Sequence, residues 1–469
     1  MTYFFETYGC QMNKAESAAL EQLLIARGWD ESAYAETADL VVINTCSVRI
    51  TAETRIYGRL GWYSALKKER NGEKITTHHK TNRSCKVPVK KLTVVVTGCM
   101  AERLKDSLQK DFPVVDYVVG TFKKQHFQDI IDALEQNREI INLEENSVYS
   151  FAPLSYEQGE FQSFVPIMHG CNNFCSYCIV PYVRGREISR SVDEILKEID
   201  MLGKHSVKEI TLLGQNVNSY KFEEVLQDNN VHTVDFPELL ERIALHIRET
   251  KSSIGWVRFM SSHPKDVSDR LIDVIAKERV FCRHIHLPVQ NGSTSVLKSM
   301  NRKYTREYYL ELIKIIREKI PDVSLSTDIL VGFPGETEED FEQTVTLMQQ
   351  VRYEAAYMYY YNPREGTAAY NMKNQIPLEE KKRRVGKIID LQLAITKEQL
   401  EKRIGEKVLV LVEAESRDNS KELLGRTERD ERVVFLGEKS LIGNFVHVSL
   451  DELNGNTFRG TLINDNVLT

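Results

Sequence analysis

Short apolar runs followed by amphipathic stretches recur along roughly the first 400 residues of this chain, and parallel strands need crossovers of that length, usually helical. Four such units open it. Strands are expected at Tyr3–Glu6, Leu40–Asn44, Leu92–Thr97 and Val115–Val119, with helices near Lys14–Arg27, Thr51–Lys68, Ala101–Lys110 and Lys123–Glu135. They imply an open parallel α/β sheet. The polar, aperiodic residues Ile141–Gly159 read as a linker. From Phe164 the rhythm returns six times, with strands near Phe164–Ile167, Glu209–Leu213, Trp256–Met260, Arg283–Leu287, Ser324–Val331 and Ala355–Tyr361. Six units suggest a partial (β/α)6 barrel, although an open doubly wound sheet gives a similar string. Ser191 suits the N-cap of the helix after the first of these strands. Leu378–Arg403 is one long helical pattern, with Val385, Ile388, Ile389 and Leu393 on one stripe and Gly405 at its end. Beyond it, the runs Lys407–Val412, Val433–Leu436, Phe445–Leu450 and Thr457–Leu462 imply a small all-β barrel. The expected division is therefore 1–140, a linker at 141–160, then 161–404 and 405–469.

No apolar run approaches the ~20 residues of a membrane span. The start MTYFFETYGC has no basic segment before an apolar one, so a cytoplasmic protein without a membrane partner is expected. With 62 basic and 68 acidic residues the net charge is −6, and any nucleic-acid footprint must be local. The densest basic stretch, Tyr63–Lys91, holds nine Lys or Arg against Glu69 and Glu73 and reads as a mobile loop.

The 8 cysteines of the 469-residue chain are too sparse for a disulfide scaffold. Their spacing points to metal chemistry instead. Cys171, Cys175 and Cys178 form a CxxxCxxC triplet just after a strand. Three thiolates on one tight loop can each hold one iron of a four-iron cluster and leave the fourth iron open. A structural zinc site would favour CxxC pairs and a fourth protein ligand, and no such partner follows. Cys10, Cys46 and Cys99 are scattered, yet YGC, NTC and TGC each end a strand of the N-terminal sheet. The carboxyl edge of a parallel sheet is shared by all its strands, so these thiols can converge on a second cluster. Cys282 reads as core, whereas Cys85, His78 and His79 lie in the basic stretch and read as solvated, with a loop zinc site as the alternative.

The segment GCNNFCSYC, with Tyr177 before its last Cys, resembles the radical S-adenosylmethionine (SAM) superfamily. With a three-Cys N-terminal domain and a terminal TRAM-like barrel, nearly the whole chain resembles the radical SAM methylthiotransferases. The strings TYGCQMN, HGCNNFCSYCIVPYVRGREISR, LLGQNVNSY, SSHP, HLPVQNGS and TDILVGFPGET are similar to those of the branch that modifies isopentenyladenosine in tRNA. Gln11 and Met12 carry that distinction. Methylthiotransferases of a ribosomal-protein aspartate tend to have GCPKN there, and threonylcarbamoyladenosine enzymes GCKVN. The basic insertion Gly72–Lys91 departs from the family core.

The resemblance implies two [4Fe-4S] clusters, on Cys171, Cys175 and Cys178 and on Cys10, Cys46 and Cys99, facing one cavity. SAM would bind the first, and the sulfur to be inserted would be held at the second. One SAM would methylate that sulfur and another would supply the radical that activates C2 of adenine. It also implies an electron donor such as flavodoxin or ferredoxin, a sulfur donor, and a tRNA anticodon stem-loop carrying isopentenyladenosine. Expected SAM contacts are Tyr177, Gly214, Gln215, Asn216, Ser262, Gln290, Asp328 and Gly332, all but Tyr177 at or near strand ends. Each polar one could equally be a loop hydrogen bond, and Gly332, Pro334 and Gly335 read as a turn. Arg184, Arg186 and Arg190, and Arg426, Arg429 and Arg432 of the terminal barrel, are candidate RNA contacts, with Tyr182 a stacking platform. Residues Glu406–Thr469 carry 8 basic and 12 acidic residues, so RNA would meet one face of that module. The rival functions are methylthiolation of a ribosomal-protein aspartate and a noncatalytic iron–sulfur RNA-binding protein.

Overall fold

The computed structural model describes residues 1–47, 50–73, 91–138, 149–227 and 229–463. They form two compact units: Met1–Asn172 with Ile179–Leu202 and Leu213–Gln215, and Asn173–Cys178 with Gly203–Leu212 and Asn216–Thr469.

The first unit begins with β1 (Thr2–Thr7), α1 (Gln11–Ala26), β2 (Asp30–Glu31), β3 (Leu40–Thr45) and α2 (Ile50–Arg70), followed by β4 (Thr93–Gly98), α3 (Cys99–Leu104), α4 (Asp106–Asp111), β5 (Tyr117–Val119) and α5 (Phe127–Glu135). The strands form a five-stranded sheet, all neighbours parallel, in the order β2-β1-β3-β4-β5. Every residue of β3 and β4 is buried, which is why both read as β-branched runs without polar alternation. The period of two still sorts them. Val41, Ile43, Val94 and Val96 pack with Ile56, Leu60, Tyr63 and Leu66 of α2, whereas Leu40, Val42 and Val95 pack with Leu20, Leu24, Phe127 and Ile130 of α1 and α5. Each such side chain contributes ~1.5–3 kcal/mol by leaving water.

Three expectations change here. The helix expected over Ala101–Lys110 breaks at Lys105, whose φ of 44° ends α3 and starts α4. The stretch Tyr63–Lys91 is helical as far as Arg70, because Tyr63 and Leu66 continue the buried stripe of α2; residues 74–90 lie outside the described residues. The described part of the expected linker is docked: Tyr149 stacks on His169 with ring centroids 3.6 Å apart, and Ser155 N donates to Glu198 Oε1 at 2.6 Å.

The unit continues with β6 (Gln162–Pro166), β7 (Met168–His169), α6 (Val180–Arg184), β8 (Ile188–Ser189) and α7 (Val192–Lys204). Ser191 Oγ accepts from Glu194 N, as its capping position requires.

The second unit holds β9 (Glu209–Leu213, whose last residue belongs to the first unit), β10 (Lys221–Val225), β11 (Val231–Asp235), α8 (Phe236–Glu249), β12 (Trp256–Phe259), α9 (Asp269–Lys277), β13 (His284–His286), α10 (Thr294–Ser299), α11 (Arg306–Lys319), β14 (Ser324–Val331), α12 (Glu338–Val351), β15 (Ala355–Tyr360) and α13 (Leu378–Glu401). All six strands expected from Phe164 onward are present. β9 pairs in parallel with β12, β13, β14 and β15 form a parallel sheet, and Val257 bridges to Phe281 between the two sets. The antiparallel hairpin β10–β11 is an insertion that the alternation did not reveal. α13 buries Ile388 of the expected stripe but not the whole of it: Arg384, Gln392 and Ile395 are buried with Ile388, whereas Ile389 and Leu393 are exposed. Polar partners decide this, since Arg384 Nη1 reaches Glu336 Oε1 at 2.7 Å and Gln392 Nε2 donates to the carbonyl of Tyr353.

The chain closes with β16 (Lys407–Glu415), β17 (Glu422–Thr427), β18 (Arg432–Leu436), β19 (Phe445–Asn454) and β20 (Thr457–Leu462), a closed barrel in the order β16-β17-β18-β20-β19. β17 is the strand missed from sequence. It contains Gly425, where a Cβ would lie 2.3 Å from Val410 Cγ1. Val410, Val412, Leu423, Val433, Phe435, Val448, Leu450 and Phe458 fill the interior.

Candidate cluster and cofactor sites

The register of the N-terminal sheet aligns the ends of three strands. Thr7 pairs with Asn44, Asn44 with Thr97, and Thr45 with Gly98. Cys10 follows β1 at the N-cap of α1, Cys46 follows β3, and Cys99 opens α3. Close approach explains the glycines beside them. A Cβ on Gly9 would lie 3.0 Å from Cys46 Cβ, and Gly98, at φ +92°, leaves only 2.3 Å between such an atom and the carbonyl of Thr45. Asn13 and Asn44 lock the edge: Asn13 Nδ2 donates to Asn44 Oδ1 at 2.7 Å and Thr45 O at 2.9 Å, and Asn44 Nδ2 returns a bond to Asn13 O. Cys10 Sγ lies 3.2 Å from Asn13 Oδ1. Sequence reasoning missed this pair, although the Asn of QMN and of NTC stand beside the thiols.

Cys99 is 3% exposed and has a buried cation against it. Arg184 Nε reaches Cys99 Sγ at 3.2 Å, while Nη1 donates to Glu16 Oε1 at 2.9 Å. Lys124 Nζ lies 2.5 Å from the same carboxylate oxygen. Burial pushes the Glu16 carboxyl up, but Arg184 and Lys124 outweigh it and hold the group at about 2. Burial also pushes the Cys99 thiol up; Arg184 opposes that shift, while Glu16 and Cys10 add to it. His169, 3.4 Å from Arg184 Nη1, is pushed well below its ordinary range by burial and by that guanidinium, and stays neutral near pH 7.

Among the described residues no three His, Cys, Asp or Glu side chains are arranged to hold a single metal ion. A cubane asks something else, because each thiolate binds a different iron. Thiols outside any disulfide at aligned strand ends, with a guanidinium aimed at one sulfur, suit an anionic sulfur cluster.

The CxxxCxxC loop is anchored at both ends. On the first unit's side, Cys171 N donates to Gly185 O at 3.1 Å, and Gly170 N donates to Gln215 Oε1 at 2.6 Å. A Cβ on Gly170 would sit 1.9 Å from Arg186 O, so only glycine fits. Ile179, the residue after Cys178, packs with Cys99 and Val183 in one apolar cluster. In the second unit, Asn301 Nδ2 donates to Phe174 O at 2.8 Å, Ser176 N to Met300 O, and Arg302 Nη1 reaches Cys175 Sγ at 3.4 Å. Arg302 also holds Pro288 O and Tyr304 Oη. Tyr177 packs against Val296, Met300, Phe333 and Tyr361, and burial pushes its hydroxyl well above the ordinary range.

The expected SAM contacts divide. Gln215 is committed to Gly170, and Gly214 is buried beside it. Gly332 has φ +70° and its N–H donates to Glu336 Oε1, the turn role foreseen for it. Gln290, at φ +68°, exchanges backbone bonds with Asp328 and Leu330. Asp328 Oδ2 lies 3.5 Å from His286 Nε2. At the ends of β9 and β12, however, Asn216 Oδ1 and Ser262 Oγ are buried with no hydrogen-bond partner among the described residues, as are the amide atoms of Asn218 and Nε2 of His263. Buried polar atoms are rarely left so, and a polar ligand at these strand ends would satisfy them. Asn218 and His263 were missed, although both lie inside the strings NVNSY and SSHP.

Residues 165–348 match the radical SAM superfamily, residues 2–120 the uncharacterized protein family UPF0004, and residues 401–463 the TRAM domain. The chain is 53% identical to the tRNA-2-methylthio-N(6)-dimethylallyladenosine synthase of Treponema denticola over 98% of its own length and 100% of the relative's. It is 50% identical to the Treponema pallidum synthase of the same name over 99% of each. The chain belongs to the tRNA-2-methylthio-N(6)-dimethylallyladenosine synthase family. The radical SAM methyltransferase TsrM of Kitasatospora setae is similar in fold, with a TM-score of 0.58 at 12% identity over 79% of this chain and 77% of that one.

In this member of the synthase family several candidate RNA contacts are placed as structural ties. Arg184 is 2% exposed and faces Cys99, and Arg190, also 2% exposed, is paired with Glu198. Arg426 bonds Glu209, Glu413 and Asp430, and Arg429 reaches Asp322 O and Glu354, so both seat the barrel against the β9 and β14 region. Trp256 and Phe445 pack edge-to-face at the same seam. Bare charge could not reveal this, because burial and pairing arise from distant elements. Arg186, Arg432 and Tyr182 are exposed. Cys282 is buried, as expected, while Cys85, His78, His79, Lys86 and Lys90 lie outside the described residues. No helix among the described residues is long and apolar enough to cross a membrane.

Proposed function

We infer that this chain is a radical SAM tRNA methylthiotransferase that installs a methylthio group at C2 of N6-isopentenyladenosine beside the anticodon. The observation that carries this is near full-length relation, at 53% identity, to synthases named for that product. The two separate thiol trios support it. Two [4Fe-4S] clusters and SAM, when bound, supply one-electron cleavage of SAM, hydrogen abstraction at adenine C2 and the sulfur to be inserted.

The protein's part is placement. Asn13 and Asn44 fix the edge on which Cys10, Cys46 and Cys99 stand. Arg184 and Arg302 put a positive charge beside Cys99 and Cys175, where it would offset the negative charge of a cluster held there. Asn216, Asn218, Ser262 and His263 offer unused polar atoms toward SAM, and Asp328 a carboxylate. Arg186, Arg432 and Tyr182 are the exposed candidates for the anticodon stem-loop. The tRNA is a cytoplasmic substrate, and turnover needs an external electron donor, such as flavodoxin or ferredoxin, and a sulfur donor.

Reconstituted enzyme, SAM and a reductant incubated with isopentenylated tRNA should yield the 2-methylthio nucleoside after digestion. Its absence, with product on a ribosomal protein instead, would reject the substrate. A noncatalytic iron–sulfur RNA-binding protein would bind tRNA and form no 5′-deoxyadenosine.

A further inference from the structure

Arg184 joins the helix following the CxxxCxxC loop to Cys99 of the N-terminal thiol trio. It ends α6, which starts two residues after Cys178, and it crosses to Cys99 Sγ at 3.2 Å. Its Nη1 and Nη2 both donate to Glu16, whose helix starts one residue after Cys10. Glu16 in turn holds Lys124. Both Arg184 and Glu16 are almost wholly buried, at 2% and 6% exposure, so their charges act with little screening.

We propose that Arg184 is a positioning residue that sets the reduction potential of a cluster on Cys10, Cys46 and Cys99, with Glu16 as its counterweight. Reduction adds negative charge to a cluster, so a neighbouring cation and an N–H aimed at a ligand sulfur both favour the reduced form. A neighbouring carboxylate opposes it. The pair therefore works as two opposed levers on one centre, and Ile179 against Cys99 keeps α6 in place while they act. This rests on the two-cluster reading above, and the test separates the two.

The full chain with Cys171, Cys175 and Cys178 all changed to Ala retains only the N-terminal trio, so a reconstituted sample reports that centre alone. Its iron content is measured first: about four irons per chain are expected, and none would reject the second cluster itself. Arg184→Gln and Glu16→Gln are then compared by potentiometric titration followed by electron paramagnetic resonance. Arg184→Gln should lower the potential enough that, at the parent's midpoint, oxidised exceeds reduced about tenfold, which is about 59 mV for one electron. Glu16→Gln should shift the balance the other way. Arg184→Lys, which keeps the charge without the fork, should recover part of the loss. A role confined to packing would move neither potential or both in one direction, and either result on loaded protein overturns the proposal. Should Arg184→Gln fail to retain iron, Glu16→Gln decides alone: an upward shift supports the role and an unmoved potential ends it.

Discussion

Among the described residues, Cys99 and Cys175 each have a buried arginine within hydrogen-bond reach of the sulfur, and the surroundings of the two arginines differ. Arg184, beside Cys99, is balanced by Glu16, a carboxylate shared with Lys124. Arg302, beside Cys175, has neutral oxygens around it, from Pro288 and Tyr304, and no carboxylate ion-paired with it among the described residues. Burial works against both charges. At Arg184, Cys99 and Glu16 more than restore it; at Arg302, Tyr304, Tyr177 and Cys175 do so. The first site thus sets a carboxylate of its own against two cations, Arg184 and Lys124, whereas the second sets none among the described residues against Arg302.

The sharpest break in the comparison is functional. Cys171→Ala should abolish 5′-deoxyadenosine formation and 2-methylthio product together, whereas Cys99→Ala should lose the product while 5′-deoxyadenosine still forms. Chromatography of the same reactions reads both, and 5′-deoxyadenosine persisting in Cys171→Ala would remove that residue from the SAM-binding centre.

Stability of the iron-free chain should separate the arginines next. Arg184→Met strands a buried carboxylate with only Lys124, and urea unfolding should show a loss of about 3 kcal/mol. Arg302→Met loses hydrogen bonds but also removes a buried charge that lacks an acid, so its loss should be under about 1 kcal/mol. Equal losses would mean that the two sites are balanced alike after all.

A smaller contrast lies in the terminal barrel. Arg426, bound to three carboxylates, should cost about 2 kcal/mol as Arg426→Ala. Exposed Arg432 should cost less than about 0.5 kcal/mol as Ala. For tRNA affinity against salt the order reverses: Arg432→Ala should reduce the salt slope by about 1. A slope untouched by Arg432→Ala would take that face of the barrel out of the RNA interface.

The thiol positions were legible because local sequence fixes them: a buried strand, then YGC, NTC or TGC, places each Cys at the same sheet edge. The six later strands were legible for the same reason. What surrounds the thiols was not. Glu16 and Arg184 are 168 residues apart, and no local period links them. The same blindness put Arg184, Arg190, Arg426 and Arg429 among RNA contacts, since a charged letter in a string does not say whether it faces water. α13 shows the converse, where apolar Ile389 and Leu393 lie outside because Arg384 and Gln392 have partners inside. Patterns of hydrophobicity predict elements well, and predict faces well only where the buried face is apolar.

The last test stays on α1, which carries two carboxylates shifted in opposite directions. Glu16 is held at about 2 by Arg184 and Lys124 against its burial. Glu21 is raised to about 7 by burial and by the charges of Glu157 and Glu31. A depressed carboxyl stabilises the fold above its unfolded value and loses that contribution as pH falls, here from 4.5 toward 2. A raised one contributes below its unfolded value and loses it as pH rises, here from 4.5 through 7. Glu21→Gln should therefore leave the iron-free chain unchanged near pH 4 and stabilise it by about 1 kcal/mol near pH 8, allowing for solvent around a partly exposed group. Glu16→Gln should do the reverse, costing stability at neutral pH and converging on the parent in acid. If both variants moved stability in the same direction near neutral pH, Arg184 and Lys124 would not be what separates two acids on one helix.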